Sequence, residues 1–200
     1  NTFDYPSMHG NTLAQLGISY VSTSINAIES LEPYTLVDII MGKEKGEKTD
    51  TIGCIPMHLR KAIKTYTEQG GKILLSGSYI ASDMRHTCDT AFTHNVLHYR
   101  YKTEKASTCG RINFQYNILP TKQYEYYTKP NPQVIECEWP DGIEPMTGGV
   151  RIARYDDTYV NAGVAYRDDK NRMIILPFML ESVKDFDALY SNCIKWLNND

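Results

Sequence analysis

The stretch that most constrains this chain is Gly70-Gly71-Lys72-Ile73-Leu74-Leu75-Ser76-Gly77-Ser78-Tyr79-Ile80-Ala81-Ser82-Asp83. The double glycine stops the helix before it, because glycine is favoured just past a helix terminus. An apolar run follows and ends in small residues. Its length and flanks fit a strand covered on both faces. A helix-compatible pattern resumes near Met84, so Ser76-Gly77-Ser78 falls at the carboxyl end of a central parallel strand. Open α/β sheets bind their ligands at that end.

The first hundred residues alternate around this stretch. Residues 7–16 are weakly helical and stop at Gly17, and residues 18–24 alternate as a strand does. Residues 25–31 fit a short helix and 34–41 a second apolar strand, closed by Gly42 and a charged loop over 43–50. Pro56 suits a first helical turn. Leu59, Ala62, Ile63 and Tyr66 then recur as one apolar stripe. Cys88, Ala91, Phe92, Asn95, Val96 and Tyr99 give another. Strand and helix in alternation imply parallel pairing with right-handed crossovers. The expected fold class is α/β, with a flavodoxin-like, doubly wound, mainly parallel sheet.

Beyond residue 100 short strand-like runs take over, at 111–118, 123–128, 133–139, 149–155 and 159–166. Pro120, Pro130, Pro132, Pro140-Asp141-Gly142 and Asp156-Asp157 punctuate them as turns. They read as an antiparallel insertion over residues 111–166. Residues 173–178 form a last apolar strand. The closing helix puts Phe186, Leu189, Tyr190, Cys193, Ile194 and Leu197 on one face. Residues 1–200 read as a single domain belonging to a longer protein. A doubly wound sheet opens on a strand, whereas this chain opens on a proline-containing helix, so the first strand is expected to come from elsewhere.

A net charge of −3 excludes a nucleic-acid surface, which needs clustered lysine and arginine. No apolar run approaches the roughly 20 residues that span a bilayer. The five cysteines form no CxxC pair and no zinc-type spacing. Cys88 and Cys109 either bridge in an oxidising compartment or stay as separate thiols. His94 and His98 share a helix face but lack an acidic third ligand, so neither metal nor cofactor is expected. Tyr99, Tyr101, Tyr116, Tyr124, Tyr126 and Tyr127 crowd one region, either as strand residues of a half-buried sheet or as faces that stack on sugars.

The strand–Ser-Gly-Ser–helix junction has the form of a nucleophile elbow, where a helix N-terminus activates the residue at the turn. Its wording, Leu75-Ser76-Gly77-Ser78-Tyr79, is not G-x-S-x-G. Ser78 also needs a base, and His86 is the histidine nearest in sequence.

The order of elements, the elbow and the late strand leading into a helix together resemble the class I glutamine amidotransferase fold. That family carries a cysteine at the elbow and a Phe-His-Pro-Glu-Ser type motif after the late strand. Here Pro177-Phe178-Met179-Leu180-Glu181-Ser182 stands at the matching place, with Met179 where the catalytic histidine would be. Ser78 or Gly77 replaces the cysteine. A thioether cannot take the proton of a hydroxyl or thiol. Glu181 is left as an orienter with nothing to orient. The wording of residues 4–10, 37–44 and 70–77 is similar to the C-terminal domain of large secreted bacterial proteins labelled xanthan lyases.

The resemblance implies an exported, periplasmic or extracellular protein whose partners are carbohydrate and further domains of its own chain. Two readings follow. One is a module with no catalytic residues, binding at Ser78, Tyr79 and Asp83. The other is a polysaccharide lyase or hydrolase at the same crevice, with Ser78, His86 and Glu181 as its catalytic set. A polysaccharide lyase needs a base and a charge neutraliser together, and that set does not assemble at one place in this sequence.

Overall fold

Asp4 starts the first helix by accepting the backbone N–H of Ser7 at 3.2 Å, with Pro6 in the first turn. In the computed structural model, which describes residues 4–46, 53–132, 134 and 136–198, this helix is α1 (Tyr5–Gln15). It ends at Gly17, whose φ of +73° suits glycine. There follow β1 (Leu36–Gly42), α2 (Met57–Glu68), β2 (Lys72–Gly77) and the single turn α3 (Ser82–Arg85). Seven strands come next: β3 (Tyr99–Thr103), β4 (Arg111–Phe114), β5 (Lys122–Glu125), β6 (Gly142–Pro145), β7 (Val150–Tyr155), β8 (Asn161–Arg167) and β9 (Arg172–Leu176). Helix α4 (Phe186–Asn198) closes the fold.

The main sheet has seven strands in the order β1-β2-β9-β8-β7-β4-β5, and β3 pairs with β6 in a small second sheet. Only β1–β2 and β2–β9 are parallel. The pairs β9–β8, β8–β7, β7–β4 and β4–β5 are antiparallel. The expectation of a doubly wound, mainly parallel, flavodoxin-like sheet is therefore corrected: the sheet is mixed and mostly antiparallel. The physical reason lies in the connections. Parallel neighbours need long crossovers, whereas β4–β5, β7–β8 and β8–β9 are each joined by seven residues or fewer, too few for one. They extend the main sheet through β8 instead of forming an insertion beside it.

Period-two alternation divides the central strands between two cores. Leu74, Ile174 and Leu176 pack with Phe186, Leu189, Tyr190 and Cys193 of α4, where α1 also docks. Ile73, Leu75, Met173 and Ile175 pack with Leu59, Ile63 and Tyr66 of α2. The α2 stripe and the α4 face behave as their spacing predicts.

Three local expectations are corrected. Residues 18–24 join no strand; a cavity lies between them and β1, and the Tyr20 ring rests where Gly10 lacks a Cβ. The helix expected over residues 88–99 is shorter than its stripe, because Cys88 and His98 take φ values of +57° and +58°; it runs over residues 90–96 and is π-helical over Phe92–Val96. The strand expected over 133–139 is not formed by the described residues there, Gln133 and Ile135 lying outside them, as does the part of the charged loop at 47–50. Conversely, β3 and β6 form where a helix end and a turn were read.

Candidate functional site

Strand β2 delivers Ser78 to the carboxyl end of the parallel trio, as its sequence requires. The Ser78 N–H donates to Gly42 O at 2.8 Å, which ties the turn to the end of β1. Its side chain is only 1% exposed, and its Oγ shares a hydrogen bond with Cys137 Sγ at 3.4 Å. Burial pushes the Cys137 thiol up to about 11, so it is neutral at physiological pH. Met179, also 1% exposed, packs in the same core. Its carbonyl accepts the Ser182 hydroxyl at 2.6 Å. No imidazole hydrogen-bonds to Ser78 among the described residues.

The crevice above Ser78 is filled by the chain itself. The Asp141 N–H donates to Ser78 O at 3.1 Å and to Pro177 O at 2.9 Å, bridging the ends of β2 and β9. Its Oδ2 accepts the N–H groups of Ala81 at 2.9 Å and Ser82 at 2.6 Å. The buried Tyr155 hydroxyl donates to Asp141 O at 2.8 Å. Desolvation pushes the Asp141 carboxyl up to about 7, against the pull of those backbone donors. Read from sequence as a turn, Asp141 joins the ends of β2 and β9 and satisfies the backbone N–H groups of Ala81 and Ser82.

The remaining expected site residues disperse. Tyr79 is partly buried, with Lys45 Nζ 3.8 Å from its ring centre. Asp83 Oδ2 accepts Gly46 N–H at 3.0 Å. His86 is exposed at the end of α3. Glu181 is fully buried and directed elsewhere, its Oε1 lying 3.0 Å from His9 Nε2. Thus no hydrogen bond joins Ser78, His86 and Glu181 to one another among the described residues. The stacking tyrosines divide similarly: Tyr99, Tyr124 and Tyr126 are core residues, and Tyr116 is exposed. All five cysteines are free thiols, Cys88 and Cys109 included. His98 stacks on Tyr166, and no group of three or more histidine, cysteine or acidic side chains fit to hold a metal ion occurs among the described residues. No described helix is long and apolar enough to cross a membrane.

The polar cluster that sequence reading missed centres on His9. Its Nδ1 donates to Asp38 Oδ2 at 2.6 Å and its Nε2 to Glu181 Oε1. Tyr190 OH adds a donor to Asp38 Oδ2 at 2.7 Å. Burial alone would lower the His9 pKa, but the two carboxylates outweigh it and push it up to about 9. His9 is therefore an imidazolium at neutral pH with both nitrogens occupied, so it has no lone pair to act as a base. The cluster is a clamp that joins α1, β1, α4 and the segment after β9. One signal was available: Asp38 is a carboxylate inside the apolar run Val37-Asp38-Ile39-Ile40, and buried carboxylates need a partner.

No family model matches the chain, and no curated protein matches it. Among solved structures, the fold is similar to that of a β-galactosidase from Rahnella sp. R3, at 14% identity and TM-score 0.60, covering 94% of this chain and 26% of that one. It is also similar to a cytoplasmic protein from Salmonella typhimurium LT2, at 11% identity and TM-score 0.64, covering 98% and 88%. A third is a candidate GMP synthase component from Thermoplasma acidophilum, at 14% identity and TM-score 0.58, covering 98% and 90%. The chain spans about a quarter of the length of the β-galactosidase. The similarity is one of fold.

Proposed function

We propose that these residues form a non-catalytic module of a longer, polysaccharide-associated protein. The observation that carries this reading is the packing at the elbow. Nucleophilic catalysis needs a base within hydrogen-bond reach and an open approach to the nucleophile. Ser78 has a buried thiol as its partner, Met179 is buried in the core that holds that thiol, and the Asp141 N–H ties Ser78 O to the end of β9. The link to polysaccharide rests on the wording of residues 4–10, 37–44 and 70–77, and on the fold shared with part of a β-galactosidase.

The competing reading, a lyase or hydrolase at this crevice, needs Ser78 exposed and paired with His86. The test is polysaccharide depolymerisation by the full-length protein with Ser78→Ala. The expected rate stays within about twofold of the parent, whereas loss of a nucleophile costs about a thousandfold or more. A loss of that size would overturn the proposal.

A further inference from the structure

We draw no further inference here: the strongest candidate, the surface patch on the hydrogen-bonded loops at 105–106, 139–140 and 158–159, where the exposed Trp139 and Tyr159 stand beside Lys105 and Arg154, carries nothing because nothing in the structure shows what covers it.

Discussion

A single imidazolium held between two carboxylates ties four segments of this fold together, and its energetics follow from burial. Glu181 is fully buried, so removing His9 leaves its charge uncompensated. His9→Ala is expected to cost about 3–5 kcal/mol, read from urea unfolding. The pH dependence has a definite sign. Folding raises the His9 pKa from 6.5 to about 9, so its contribution is complete below about 6.5 and is lost as pH rises through about 9. Glu181→Gln removes one of the two charges that raise it, and should shrink that alkaline loss in the same unfolding series. Asp141 acts in the same direction over a lower window. Its raised pKa means that the folded state favours the proton, so its contribution falls between about 4 and about 7. At this scale the sequence was half legible. Asp38 inside an apolar run announced a buried pair, but its partner lies 29 positions away on a helix of weak pattern.

At the scale of elements, the turn after β2 depends on a residue without a side chain. A Cβ at Gly77 would lie 2.6 Å from Met41 Cβ and 3.0 Å from Ile80 Cγ2. Gly77→Ala is therefore expected to destabilise by about 1–3 kcal/mol through overpacking, seen as a lower Tm. The helices α2 and α4 and the strands β1, β2 and β9 were legible, because a stripe or a buried run is written locally. Segment 18–24 was misread for the complementary reason. Alternation specifies a strand only when a neighbour supplies the ladder, and a cavity stands where that neighbour would be. The helix over residues 88–99 was read too long because Cys88 and His98 adopt left-handed backbone and bound it at 90–96, which neither residue type announces. The small sheet of β3 and β6 joins residues 39 to 46 positions apart, and only tertiary packing selects that pairing.

For the whole molecule, the parallel trio β1-β2-β9 keeps the geometry that places ligands at strand ends, while the antiparallel strands and the 137–141 segment close that end. The place of Ser78 just past the end of β2 was visible in the sequence; its burial was not, since Cys137 and Asp141 reach this turn from some 60 positions away. The most direct test of closure is the alkylation rate of Cys137 in the native protein, followed by mass spectrometry beside the exposed Cys88. Cys137 should react only as fast as the chain unfolds, long after Cys88 is consumed. Modification of both at comparable rates in the folded protein would mean that the crevice over Ser78 opens to solvent, and the account of a sealed, non-catalytic elbow would be contradicted.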